Sequence, residues 1–562
     1  MIRRRIAAAC LALIAVIMVG VSGCARPKET EKPTPGGTLT VGLLRAPTGV
    51  FRPLVSEERD SAQVTQLMYS GLLRLGPKLD LVCDLCEEYT VSEDRRTVTF
   101  RLRQNVQWHD GKPFTAADVV FTYQAILAPE YGGSQTGKLA ALAGVQALLD
   151  ERDAVDRDVA AGRVSLTEGT VRKTAAWKRW LEGPGAQAVT AVDAHTVAFR
   201  MAEPYAPLLA AMLLPISPAH TREPVGTGPF KLAEFTKGKY VKLVRHDTYH
   251  LGKPYLDEVI CKVVSPGEAA AQLKAGALDY VPLGFADTDG LEKARVAQWP
   301  SAGYQYLGLN LDRPLFADRR VRQALMHGIN RQGLVDQLLK GYGSVVNTHA
   351  VSGQWALEGM ELNPYPYDQA KAAQLLAEAG WATLDAEGYR VRDGVRLQFV
   401  LTYPKGNPVR EASAALIQRD LKAIGVKADL EVREFADLIR EVFGQRKADA
   451  WLLGWDVGVD PDPGPIFSPD NKWGQVSGWV SPRSEELLKQ GRQMLAPADR
   501  KPVYAEWLKL VNEELPYLFL YAENEAGGLP GARVRGAAPD VRGPLWNIWE
   551  WWIPKEPQSS AG

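Results

Sequence analysis

The sequence predicts an α/β protein with more than one hydrophobic core, and three observations carry that reading. Strand-like segments at Tyr304 to Leu311, Arg396 to Tyr403 and Ala450 to Leu453 alternate with helical patterns at Asp318 to His327, Tyr367 to Ala379 and Arg410 to Ile424. Hydrophobic residues make up 46% of the chain, enough to pack domains throughout. Its 562 residues exceed what one core supports, so two or three domains are expected. No internal repeat with a period of roughly 20 to 50 residues is visible, which excludes solenoids and propellers.

The elements follow in order from the N-terminus. Arg3, Arg4 and Arg5 precede an uncharged run from Ile6 to Val21, the basic and apolar regions of a secretory signal over residues 1–23. That run is shorter than the roughly 20 residues a membrane-spanning helix needs. Ser22 and Gly23 before Cys24 resemble the bacterial lipobox, so Cys24 is expected to carry lipid and become the mature N-terminus. Two or more acyl chains make a durable anchor. Residues 24–36, charged and proline-rich, read as a flexible tether.

Beyond the tether, Gly36 to Gly42, Arg95 to Arg103, Ala194 to Met201 and Tyr240 to Arg245 have strand character. Thr115 to Leu127 has helical spacing, with Thr115 as N-cap and Asp118 in the first turn. Residues 137–182 read as a helical hairpin insertion in which Ser165 and Glu168 form a capping box. Pro224 to Leu232 is turn chemistry, with Gly226 and Gly228 free to adopt positive φ.

Charge and cysteine content narrow the function. The 66 basic residues balance 66 acidic ones, and loss of the three leader arginines leaves the mature chain slightly acidic, a poor match to nucleic acid. Five cysteines reduce to three once Cys10 leaves with the signal and Cys24 is acylated. Cys83 and Cys86 form a CxxC compatible with a redox pair, half a zinc site or a local disulfide, of which a structural pair is favoured.

Several stretches together resemble the extracytoplasmic solute-binding proteins of family 5, the peptide and nickel receptors of ABC importers. The most specific is the passage from Glu88-Tyr89-Thr90-Val91-Ser92 through Thr97 to Arg103 into Trp108-His109-Asp110-Gly111-Lys112-Pro113-Phe114-Thr115. Further matches are Gly226-Thr227-Gly228-Pro229-Phe230, Gly252 to Glu258, and Leu309 to Pro314 leading into Val321 to Leu325. The resemblance covers essentially the whole mature chain. It implies a periplasmic-binding-protein-like fold of the large type II variant, two lobes closing on ligand, with an extra domain inserted in lobe one. The boundaries expected are lobe one at 37–76, the extra domain at 77–192, lobe one again at 193–290, lobe two at 291–522, and a return to lobe one at 523–556. On that template His109 and Asp110 are structural, since an Asp-Gly turn before a capped helix explains them without acid/base chemistry.

The resemblance also implies the site. Peptide-binding members place a tryptophan where Trp455 stands, and an aspartate a few residues later that pairs with the ligand ammonium. Here Asp456 and Asp460 are the available carboxylates. A carboxylate closed off from water suits an ammonium or other cation, and aromatic planes beside it tolerate varied side chains. Nine of the fifteen tryptophans lie after residue 450. Trp479 stands where the family usually has a tyrosine, Trp355 lies in a stretch near the family's cleft, and Glu57 and Glu58 lie in its ligand-facing first-lobe loop. Trp546, Trp549, Trp551 and Trp552 are expected to pack the C-terminal segment onto lobe one.

The function implied is capture of oligopeptides by lobe closure and delivery to the permease of an ABC importer, by a lipid-anchored extracytoplasmic monomer without cofactor. Nickel or another metal chelate, haem or oligosaccharide are the alternatives within the same fold. A secreted hydrolase is the alternative from another class, and the sequence lacks HExxH, GxSxG and P-loop motifs. His246 and His250 have the i,i+4 spacing of metal ligands on one helix face, in a segment that the resemblance assigns to a polar turn.

Overall fold

The computed structural model describes residues 32–55, 59–292, 296–469, 471, 476–529 and 533–555. The signal, Cys24, Glu57 and Glu58 lie outside the described residues.

The first lobe is built on a four-stranded sheet. Thr38–Leu43 pairs parallel with Glu258–Val263, which runs antiparallel to Tyr240–Arg245, itself paired with Phe230–Thr236. Alternation of side chains puts Leu39, Val41, Val241, Leu243, Val259 and Cys261 in the core, against the fully buried Trp551 of the C-terminal segment. Gly226 and Gly228 close the turn before this sheet, but neither adopts positive φ. They are required by close approach, because a Cβ on Gly226 would collide with the carbonyl oxygen of Met68.

A second four-stranded sheet, in the order Cys86–Val91, Thr97–Leu102, Thr196–Arg200, Val189–Asp193, has its own core. The helix Ala116–Ile126 covers it, and Asp118 Oδ2 accepts the Thr115 backbone N–H at 3.0 Å. Helices Val145–Ala160 and Leu166–Glu182 form the hairpin, with Ser165 Oγ accepting from the Glu168 amide at 3.1 Å. The boundary expected at 192/193 is corrected, since it cuts this sheet. Thr196–Arg200 pairs with Thr97–Leu102, and the same core continues from Leu72 to Ile216. Cys83 and Cys86 are joined in a disulfide with an S–S length of 2.06 Å.

The second lobe carries the large mixed sheet, with Gly303–Leu309, Ala450–Asp456, Gln398–Pro404 and Lys427–Arg433 in that order beside the long strand Tyr517–Gly528. Two antiparallel segments join the lobes. Tyr517–Gly528 pairs with Gly303–Leu309 at its start and with Val296–Pro300 and Val281–Leu283 at its end. Trp299 is buried in the first-lobe core and Tyr304 in that of the second, so the crossing falls between them rather than at the expected 290/291. On the return strand Ala522 is the last residue in the second-lobe core.

The lobes also touch away from these strands. Leu79, on the hairpin before the disulfide, is buried in the second-lobe core, and the Trp355 amide donates to the Lys78 carbonyl at 2.9 Å. Among the described residues no helix is long and apolar enough to cross a membrane.

Candidate ligand-binding cleft

Three connected chambers line the gap between lobes. The largest, about 1020 Å³, has Pro53, Ala62 and Gln66 of the first lobe facing Trp455 to Asp460 of the second. A chamber of about 530 Å³ in the first lobe shares Ala62 and Gln66 with it. A third, of about 360 Å³, shares Trp455 and Asp456 with the largest and Asn524 and Glu525 with the first-lobe chamber. These volumes lie in the range of small-molecule sites, and together they form one cleft.

The strand Ala450–Asp456 positions the central wall. Its first four residues are buried in the sheet, whereas Trp455 and Asp456 emerge at its cleft end. The Trp455 ring lies parallel to Tyr306, 6.0 Å between centroids and 3° between planes, with Phe443 edge-on at 5.8 Å. These neighbours hold the indole in one orientation while it remains half-buried and lines two chambers. Asp456 is exposed, and its carboxylate has no hydrogen bond or ion pair among the described residues.

Asp460 lies in the same chamber under different terms. Arg500 grips it with two hydrogen bonds of 2.7 and 2.6 Å, and the pair is almost completely buried. Asp462 is bound by Arg492 Nε at 2.9 Å, and burial pushes its carboxyl above the usual carboxylate range. Gly464 leaves the space that the Arg492 guanidinium occupies. These two aspartates fold the loop back onto the helices Pro482–Gln493 and Pro497–Glu514.

The remaining predicted residues separate. Trp355 is buried with its ring 5.7 Å from the Arg500 guanidinium and lines none of the three chambers, so it backs the Asp460 pair. Trp479 packs edge-on to Phe467 at 6.2 Å, likewise off the chamber walls. Glu57 and Glu58 fall outside the described residues. Trp551 and Trp552 are buried as expected, whereas the half-buried Trp546 and Trp549 line the first-lobe chamber.

Sequence reasoning missed a polar network in the third chamber. Gln305 accepts from Arg410 Nε at 2.9 Å and donates to Glu523 at 3.2 Å, and burial raises the Glu523 carboxyl. No local pattern marks these residues, which come from two strands and the start of a helix. His349 also lines the central chamber, held by the Tyr304 hydroxyl at 2.8 Å, and burial pushes its pKa down to about 3.

The WHDG segment is fully engaged elsewhere. His109 Nδ1 accepts from the Gly226 amide and Nε2 donates to the Gly228 carbonyl, each at 3.1 Å, which defines a neutral tautomer. Asp110 binds His220 at 2.8 Å. His246 and His250 lie in a turn rather than a helix and diverge, one to the Gly228 carbonyl and the other to Asp84.

Residues 80–477 match the family model for bacterial extracellular solute-binding proteins, family 5. The chain belongs to that family. It is therefore a solute receptor of the extracytoplasmic space and not an enzyme. The oligopeptide-binding protein AppA of Bacillus subtilis (strain 168) is 29% identical over 98% of this chain and 100% of its own length. The structure of Bacillus subtilis AppA with a nonapeptide is 27% identical, with a TM-score of 0.63 over 93% of this chain and 100% of that one. Heme-binding protein A of Haemophilus influenzae is 24% identical over 91% of this chain and 92% of its own. NikZ of Campylobacter jejuni, solved with Ni(L-His), shares the fold with 23% identity and a TM-score of 0.64 over 92% and 99% of the two chains.

Proposed function

We propose that this receptor captures oligopeptides between its lobes and delivers them to the permease of an ABC importer, held at the membrane by lipid on Cys24. The observation that carries the ligand class is Trp455 beside Asp456, an oriented aromatic plane next to a carboxylate with no ion pair among the described residues, at the wall of the largest chamber. The α-ammonium of a peptide supplies the missing cation, and a charge-assisted hydrogen bond to it contributes about 1.5–3 kcal/mol. Likeness to AppA, named as an oligopeptide-binding protein, supports the same class.

Capture requires the lobes to rotate about the two joining strands near Ser301 and Glu523. Ligand shifts the open–closed equilibrium by its differential affinity for the closed form, and the permease reads that form. The chain acts as a monomer and needs no cofactor.

Native mass spectrometry on the chain from Ala25 onward, purified without refolding and then denatured, tests the ligand class. A ladder of short peptide masses is expected. Haem, a nickel chelate or a sugar would replace the ligand while leaving the fold. The anchor is tested by fractionating cells that produce Cys24→Ser, which should move the protein from the membrane to the soluble fraction. Undiminished membrane association would remove lipid from the account.

A further inference from the structure

The first-lobe chamber is the part of the cleft that the central tryptophan and its aspartate do not reach. Its walls come from the helix Arg59–Met68, the joining strands and the C-terminal segment, and they include Tyr280, Trp299, Trp546 and Trp549. Two guanidinium groups line it. Arg542 is neutralised by bidentate contact with Asp540 and lies over the Trp546 ring. Among the described residues Arg74 has no such partner. Its Nε is buried without a hydrogen bond, and no carboxylate among the described residues lies within ion-pair distance.

The acids sharing the chamber are hydrogen-bonded to other donors, which leaves their charge in place but turns them from Arg74. Asp84 is hydrogen-bonded to His250 Nε2 at 2.6 Å, and Glu525 accepts from Trp299 Nε1 at 3.2 Å. Arg74 is also held on a stiff support. Its strand Leu73–Leu75 pairs with Leu81–Cys83, Arg74 opposite Val82, and the Cys83–Cys86 disulfide ties down the segment that carries Asp84. A half-buried cation outside ion-pair distance of any carboxylate among the described residues, on a fixed wall among aromatic rings, is arranged to receive a planar anion.

We infer that the first-lobe chamber is a second ligand subsite that takes an aromatic or apolar group bearing a carboxylate, with Arg74 receiving the carboxylate and the tryptophans flanking the apolar part. This rests on the peptide-receptor reading and deepens it. The ammonium end of a peptide docks at Asp456, and a carboxylate further along the same ligand, from its C-terminus or an acidic side chain, docks at Arg74. Ala62 and Gln66, shared by the two chambers, mark the passage between them.

The test uses 3-phenylpropionate, which has a ring and a carboxylate but no ammonium for Asp456. The mature protein is labelled with 5-fluorotryptophan, and the Trp299, Trp546, Trp549 and Trp455 fluorine signals are assigned by single Trp→Phe variants. Titration is expected to shift Trp299, Trp546 or Trp549 saturably. Arg74→Gln should weaken that response roughly tenfold or more, and the neutral 3-phenylpropanol should bind wild type similarly weakly. Arg74→Lys, which keeps the charge, should weaken it less. No response in wild type, a response confined to Trp455, or one indifferent to Arg74 would overturn the subsite. Alanine-rich hexapeptides with free or amidated C-termini then separate the two sources of carboxylate, because amidation weakens binding through Arg74 only if the terminus is what docks there. Peptide binding that persists without any chamber response removes the subsite and leaves the receptor, whereas loss of peptide binding altogether removes the reading beneath it.

Discussion

The turn Trp108–Phe114 and the loop Asp456–Pro463 carry the same kinds of side chain, yet they end in opposite states. Both are rich in Trp or Pro, Asp and Gly, and both read as chemistry when seen as strings. In the turn, Trp108 donates to Asp118 at 3.3 Å, His109 is bonded through both ring nitrogens, and Asp110 is taken by His220. In the loop, Asp460 and Asp462 are held by arginines and Asp456 is not. The difference teaches that a functional residue is recognised by the bonding capacity left over after folding, not by its type.

The largest effect expected on this contrast comes from removing the cation at the root of the loop. Arg500→Met leaves Asp460 buried without a counter-charge and should cost about 3–5 kcal/mol in denaturant unfolding. Asp456→Asn should change stability by no more than about 0.5 kcal/mol. Equal losses in the two variants would erase the distinction between root and lip.

Acid should act on the turn in a defined window. Burial holds His109 at a pKa of about 3, against 6.5 when free, so between those values the unfolded chain binds the extra proton. Stability contributed by neutral His109 is complete above 6.5 and falls as pH drops through that window, by roughly 1.4 kcal/mol per pH unit at the steepest. Unfolding midpoints measured from pH 7 downward should therefore decline less steeply in His109→Gln than in wild type. Parallel slopes would mean that the turn tolerates a charged imidazole.

Ligand binding sharpens the comparison from the other side. By calorimetry with a peptide identified from the native protein, Asp456→Asn should weaken affinity roughly tenfold or more. Trp455→Ala should also weaken it without unfolding the protein, because the ring is only half-buried. The same peptide should bind Trp479→Phe with unchanged affinity, the smallest effect, since that ring packs on Phe467 away from the chambers. A large loss at Trp479 would relocate the aromatic wall of the site.

Much of the fold was legible because its determinants are local. The alternation in Thr97–Leu102 places Val98, Phe100 and Leu102 inward, and Thr115 with Asp118, or Ser165 with Glu168, satisfies helix ends within four residues of sequence. The domain boundaries were less legible. Thr196–Arg200 joins a sheet whose partner strand lies almost a hundred residues earlier, and only pairing reveals that it belongs there. Trp455 was found through resemblance, whereas Arg410, Glu523 and Arg74 carried no signal, since each acquires its setting from strands distant in sequence.

Local pattern determined the strands and helices that were legible, the capped helix ends and the helical hairpin, because side-chain periodicity and capping act between residues a few positions apart, and motif strings carried the resemblance to the family. Tertiary structure decided which carboxylate and which guanidinium are left without an ion pair among the described residues, and which tryptophans face the cleft. Asp460, in a loop, is neutralised by Arg500, forty residues later on a helix, while Asp456 has no ion pair among the described residues at the end of its strand. Burial and charge pairing are properties of the packed chain, and they exist only once those distant elements have met.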